Sequence, residues 1–268
     1  MSMLQSYGIF IVLQYFFWLC ICFALFSLLA QLSPNIKGQP IFRKNMWADI
    51  FYWFLIPVVY VHVTGWILVG LSIVFFTDAI NSRQFLVHGF GFFSGLPLLV
   101  QFVISLLLIN IIEYWSHRLF HGKYLWKIHA IHHAPKELDW LSGVRFHPIN
   151  MLFHSILAGV IVFTLGFSPI VYLARLPFDI LYAAMVHANL NWTFGPLRFI
   201  FASPVFHRFH HTSVEEGGEK NFSPVFSFID LIFGTFYMPK GVLPKTFGVS
   251  EIVPETLAGQ MRYPFMKS

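Results

Sequence analysis

The sequence predicts an all-α, polytopic membrane protein with three transmembrane helices, a returning apolar hairpin and a cytoplasmic helical cap holding a histidine-rich di-metal site. Two observations predict the membrane and a third predicts the site. Of 268 residues, 57% are hydrophobic and only 11% are charged, which is too apolar for a soluble domain of this length. Uncharged runs cover residues 8–30 and 90–112, each 23 residues long and able to cross a hydrocarbon core of about 30 Å at about 1.5 Å per residue. The third observation is a histidine spacing that occurs twice, His129-x2-His132-His133 and His207-x2-His210-His211, with His117-x3-His121 ahead of both.

In chain order, residues 1–268 are expected to form a single integral-membrane domain with spans at about 8–31, 50–76 and 90–113. No basic residue precedes the first span and no small-residue cleavage signature follows it, so it reads as retained and not as a signal peptide. Pro57 and Gly65 are tolerable inside the second span, and His62 there reads as a hydrogen-bonded neutral side chain with no second histidine at helical spacing. The hairpin covers 149–190, with a turn at Gly166-Phe-Ser-Pro169, and the sequence leaves open whether it is shallow or spans fully. Its second leg carries Arg175 and Asp179, an i,i+4 pair of opposite charge, with Pro177 between them as a source of distortion. The histidine-rich cap comprises 114–148 and 191–240.

Three spans and a hairpin bring both histidine-rich regions to the side that holds Lys37, Arg43 and Lys44, and Arg118, Lys123, Lys127 and Lys136 share it. Lys/Arg excess marks the cytoplasmic face. The sequons at Asn191 and Asn221 are then expected to be unused. The net charge of +5 suits anionic lipid heads, and no basic tract interleaved with polar residues points to nucleic acid. Cys20 and Cys22 both fall within the first apolar run and say nothing about redox compartment.

On a helix, residues three or four apart share a face about 5–6 Å apart at Cβ, so His117 with His121, His129 with His132 and His133, and His207 with His210 and His211 can each clamp a metal. Neighbours such as His132 and His133 point about 100° apart, so one motif reaches two metals. Eight such histidines exceed what one tetrahedral ion needs, and His187 lies between the two groups. Neutral imidazole suits iron, zinc, copper or nickel alike. A zinc protease would show His-Glu-x-x-His, which is absent. A haem carrier would place paired histidines deep in facing spans, and a metal transporter would place ligands at mid-membrane. A structural metal protein predicts metal without O2 consumption.

These residues carry a resemblance. The three histidine motifs, with Glu113, Arg145-x-His147-Pro148, His187-x-Asn189, Asn221 and the segment from Asp230 to Thr235, resemble the fatty acid hydroxylase and sterol desaturase superfamily of integral-membrane di-iron oxygenases over about 90–237. The resemblance implies two iron ions, O2 as co-substrate, a membrane lipid as substrate and oxidation of an unactivated C–H bond to an alcohol or a double bond. It implies metal ligation by His117, His121, His129, His132, His133, His187, His207, His210 and His211. Where members of the superfamily place a further histidine four residues after the His187 position, this chain has Asn191, an additional candidate ligand through its amide oxygen. Glu113, His147, Asn189 and Asp230 are expected behind the ligands, where a carboxylate fixes the tautomer of a bound imidazole. His154 is a lesser candidate. Trp53, Trp66, Phe92, Phe93 and Phe102 are candidates to line a substrate path. No segment suits a fused electron carrier, so a separate electron-transfer protein is expected, and the small architecture fits a bacterial inner membrane better than an endoplasmic reticulum membrane.

Overall fold

Apolar sequence with no charge to interrupt it makes the first element. In the computed structural model, which describes residues 3–55, 70 and 87–266, α1 runs from Met3 to Leu32 and ends where Ser33-Pro34 breaks the helical run. Val12, Leu13, Phe16 and Phe17 on α1 are each more than half exposed, an arrangement that lipid satisfies and water does not. The opposite face buries Tyr15, Cys22 and Phe26 against Trp53, Trp140 and Leu190. Residues 46–55 form α2, held to α1 by the Trp53 indole donating to the Tyr15 carbonyl at 2.9 Å. Most of the expected second span, with His62 and Trp66, lies outside the described residues.

The expected third span is displaced toward the histidines. A short turn of helix, α3 (Gly91–Ser94), precedes Pro97, which caps α4 (Leu98–Phe120), so the span starts later than 90 and carries His117 in its last turn. The physical cause is Pro97, which disfavours helix in the residue before it and is itself well placed at a helix start. After α4 come α5 (Trp126–His133), a 3-10 turn at Ser142–Val144 and α6 (Pro148–Thr164). The returning leg is α7 (Pro169–Ala174) followed by α8 (Leu176–His187), and Pro177 sits in the first turn of α8, where its missing N–H costs nothing. At the hairpin turn Gly166 has φ +81° and its backbone touches Phe90, so a Cβ there would lie 2.2 Å from the Phe90 carbonyl oxygen.

Three stretches are long and apolar enough to cross a membrane, Val12–Leu32, Leu98–Phe120 and Pro169–His187, and the chain is an integral membrane protein. The first leg of the hairpin, α6, has 17 residues, about 26 Å of helix, and is shorter than a full span. No strand occurs among the described residues, where the only ladder contacts are two isolated bridges, one joining Pro34 to Leu190.

The cap is completed by α9 (Pro204–His210), α10 (Phe228–Ile232) and α11 (Leu257–Arg262). Buried ions tie its loops to the membrane helices. Arg43 bonds both Asp139 at 2.7 and 2.8 Å and Asp49, while Arg145 bonds Asp49 from the other side. Arg43 is therefore an internal partner and not the exposed charge that the loop reading counts.

Candidate metal centre

Nine histidines arrive from four helices and their ends. Those of α5 and α9 are fully buried, as is His187 at the last residue of α8. His121 caps α4 one turn beyond His117. Their ring nitrogens fall into two groups, His117, His121, His129, His133 and His210 in one and His132, His187, His207 and His211 in the other, each with its ligand atoms within 4.8 Å of one another.

The tautomers are set from behind. His117 Nδ1 donates to the Phe222 carbonyl at 2.7 Å, His187 Nδ1 to the Ala183 carbonyl at 2.7 Å and His210 Nδ1 to the Lys220 carbonyl at 2.7 Å. His129 Nδ1 is 2.8 Å from the Asn150 side-chain oxygen. A neutral imidazole has one N–H, so spending it on these acceptors leaves a bare lone pair on each Nε2. Yet His117 Nε2 and His129 Nε2 are 3.0 Å apart, and His187 Nε2 lies 2.9 Å from His207 Nε2 and 3.3 Å from His132 Nε2. Between His117 and His129 two lone pairs face one another and repel unless a cation lies between them, whereas His132 and His207, whose Nδ1 atoms have no partner, can present either Nε2–H or a lone pair toward His187. Ligands bound at about 2.0–2.1 Å, the zinc–imidazole distance, stand about 2.9 Å apart at right angles and about 3.3 Å apart in a tetrahedron, which matches these separations. The buried Nε2 atoms of His121 and His210 have no hydrogen-bond partner and are free to bind the same ion. The donor set fits two metal ions.

Electrostatics point the same way. Burial holds His121, His129, His132, His133, His207, His210 and His211 well below the usual value of 6.5, and the neighbouring imidazoles add to the effect. At neutral pH these rings are unprotonated, the state a metal requires.

Other residues singled out in the sequence have different placements. Asn191 is exposed and its backbone N–H donates to the Ser33 carbonyl at 3.0 Å: α8 ends at His187 and Ala188 turns extended (φ −56°, ψ 150°), so Asn191 is not on a helical face shared with His187. Glu113 does not meet His117, whose Nδ1 is taken by Phe222, and lines a cavity beside Arg175 and Asp179. Asp230 acts one step removed, accepting from the Phe222 and Ser223 amides at 2.8 and 2.9 Å and so fixing the carbonyl that holds His117. Asn189 bonds both backbone groups of Ile36 at 2.8 and 2.9 Å. His147 bonds the Met261 carbonyl at 3.2 Å and the Ile149 amide, capping α6. His154 pairs with Ser116 at 2.9 Å and stacks on Phe120. Asn221 is buried with its amide bonded to Phe206 and Tyr237 carbonyls, which leaves no glycan acceptor.

Three features behind the ligands escape sequence reasoning. Asn150 and the carbonyls of Ala183, Lys220 and Phe222 carry no sequence signal because tertiary packing chooses them. Arg208, fully buried, donates to the carbonyls of Leu138 and His187 at 2.8 and 3.1 Å and fastens the end of α8. Gly143 lies flat on the His187 ring, where a Cβ would come within 2.6 Å of it.

Both groups open onto one cavity of about 270 Å³ between the membrane helices, to which His117 and His129 of the first and His132, His187 and His207 of the second contribute. Its walls are mainly apolar, including Trp53, Ile109, Met151, Ala158 and Val186. Of the five aromatics expected along a substrate path, only Trp53 lines it among the described residues, while Phe92 is exposed and Phe93 stacks on Phe167.

The fatty acid hydroxylase family model matches residues 102–235, half of the chain and every one of these histidines. The chain belongs to the fatty acid hydroxylase family. Among its relatives, the ornithine lipid hydroxylase OlsE of Rhizobium tropici is 30% identical over 172 residues, 64% of this chain and 52% of the relative. Human alkylglycerol monooxygenase is 32% identical over 128 residues, 46% of this chain and 27% of the relative. A Delta(7)-sterol 5(6)-desaturase of Gibberella zeae is 26% identical over 141 residues, 52% of this chain and 38% of the relative. The chain thus spans about half the length, or less, of these relatives. No solved structure matches it.

Proposed function

We propose that this member of the fatty acid hydroxylase family is an O2-dependent oxygenase that hydroxylates or desaturates a C–H bond of a membrane lipid, using two iron ions held by the nine histidines. The observation that carries this reading is the joint opening of both histidine groups onto one apolar cavity between membrane helices. Ligand type alone admits several metals. Iron is favoured because relatives of this chain are named monooxygenase and desaturase, both redox activities, and zinc has no redox chemistry. Bound there, the two ions would supply the redox reaction with O2 that breaks an unactivated C–H bond.

The chain's own residues do the remainder. His117, His121, His129, His133 and His210 would hold one ion, and His132, His187, His207 and His211 the other. The carbonyls of Phe222, Ala183 and Lys220 fix three ring orientations and raise ligand basicity. Ile109, Met151, Ala158 and Val186 hold an alkyl chain and exclude water beside the metal-facing imidazoles. A lipid reaches the cavity laterally from the bilayer, without crossing water. Electrons come from a separate donor protein. The loop charges favour a cytoplasmic site, in a bacterial inner membrane, on a chain acting as one integral-membrane domain.

The test is metal analysis of anaerobically purified protein, followed by O2 uptake with a reductant and a membrane lipid extract. Two iron ions per chain and lipid-dependent uptake are expected. A zinc pair that iron replaces in no active preparation refutes the reading in favour of a metal-binding protein without oxygenase activity. Lipid profiles of cells with and without the chain then identify the product.

A further inference from the structure

The cavity holds a group of charges that the metal centre does not use. Glu113 on α4, Asp179 on α8 and Arg175 at the junction of α7 and α8 all line it, inside segments that cross the membrane. Ionisable side chains at that depth are costly and mark function unless they neutralise one another. Arg175 and Asp179 do so in part, through one guanidinium nitrogen at 3.1 and 3.2 Å from the two carboxylate oxygens. Two groups are left over. The Arg175 Nε, on a residue only 2% exposed, is buried with no hydrogen-bond partner. The Glu113 carboxylate has Arg175 and Asp179 as charged neighbours and no hydrogen bond among the described residues.

The cavity therefore presents an unused donor and an unused acceptor together, beside apolar walls. A ligand group that satisfies both must itself accept and donate. A hydroxyl does, and so does a secondary amide, whereas an ammonium only donates and an ester only accepts. Position adds a constraint. Glu113 lies one helical turn, about 6 Å along α4, from His117, and Asp179 two turns, about 12 Å along α8, from His187.

We propose that Glu113 and Arg175 form a recognition point inside the cavity for a hydroxyl or amide group of the lipid substrate, which sets the reacting carbon at a fixed distance from that group. This rests on the reading of the cavity as a lipid site. The Arg175–Asp179 pair orients the guanidinium, leaving its Nε free for the ligand oxygen, and Glu113 takes the ligand proton donor.

The test is binding to the metal-loaded full chain in lipid nanodiscs, using four probes of equal chain length: a long-chain alcohol, an N-alkyl amide, a methyl ester and an alkane. The alcohol or the amide is expected to bind at least about tenfold more tightly than the ester and the alkane, the worth of a hydrogen bond to a charged group out of water. The tighter of the two identifies the group, and equal affinity means that the site takes both. Glu113→Leu is expected to erase the preference, while Glu113→Gln, which keeps an acceptor oxygen, retains it, with metal content unchanged in both. Equal binding of all four probes by the wild-type chain, or a preference that survives Glu113→Leu, overturns the assignment. Binding needs no turnover. Selective binding without O2 uptake would refute the oxygenase reading alone, and lipid-dependent O2 uptake without selectivity would refute this inference alone.

Discussion

Adding one methyl group at Gly143 is expected to empty half of the metal centre. Gly143 sits in the 3-10 turn Ser142–Val144, outside the left-handed region, so alanine meets no backbone strain and acts by contact alone. The added Cβ would lie 2.6 Å from both Cγ and Nδ1 of His187, about 0.8 Å short of the 3.4 Å at which ordinary contact begins. The ring has little freedom to move, because its Nδ1 is tied to Ala183 at 2.7 Å and its backbone carbonyl to Arg208. Metal–ligand distances tolerate only about ±0.2 Å, so a displacement of this size takes His187 out of the group of four while His117, His121, His129, His133 and His210 stay intact. Overpacking adds a stability cost of about 1–3 kcal/mol. Gly143→Ala is expected to insert in the membrane, melt a few degrees lower and hold one metal per chain instead of two, measured by elemental analysis and by titration of the second ion. A variant that retains two ions at wild-type affinity would refute the argument that this backbone contact fixes His187.

Three other outcomes follow from the same geometry. Asp49→Asn removes the carboxylate shared by Arg43 and Arg145, which leaves Arg43 with Asp139 alone and the buried Arg145 guanidinium without its carboxylate, at a cost of about 3–5 kcal/mol read by thermal unfolding in detergent; an unchanged melting temperature would show the network to be dispensable. His210→Ala is expected to lose metal and turnover while the chain still inserts, whereas Asn191→Ala, altering an exposed residue beyond the end of α8, leaves metal content unchanged. Turnover surviving in His210→Ala removes that residue from the site, and metal loss in Asn191→Ala restores Asn191 to it. The metal-free protein is expected to lose stability as pH falls. Above about 6.5 the buried imidazoles are neutral whether folded or unfolded and pH has no effect. Below that value the unfolded chain binds protons that the buried rings refuse, so stability declines, steeply because seven rings share the direction. A flat unfolding profile from pH 7 to about 5 would contradict the assigned burial.

What was legible in the sequence was whatever depends on local period or composition. The uncharged runs locate membrane helices, and the i, i+3, i+4 spacings locate eight of the nine histidines found in the two groups, His187 being named by the family resemblance. Pro97 lies inside the apolar run, whose lack of charge hides the proline's effect of shifting the third span onto His117. Asn191 shows the reverse: its i+4 relation to His187 assumes a helix that ends at Ala188, next to the bridge between Leu190 and Pro34, residues far apart in the chain. The supports behind the ligands were illegible because most are backbone carbonyls, which any residue supplies. Glu113 is expected from the sequence behind a ligand imidazole and lies beside Arg175 and Asp179, a proximity that exists only after packing.

The way the two histidine motifs share their ligands has a consequence for how the protein matures. On α5, His129 and His133 serve one group and His132 the other, while at α9 His207 and His211 serve the second and His210 the first. Each motif lends one ligand to the group built mainly elsewhere, so neither nest can be finished from a single stretch of chain. When α5 has been made and α9 has not, the first group lacks only His210, while the second has His132 alone of its cap histidines and waits for His207 and His211. The two groups are therefore completed at different points along the chain, and the second is assembled only once the hairpin has brought His187 and the α9 histidines back beside α5.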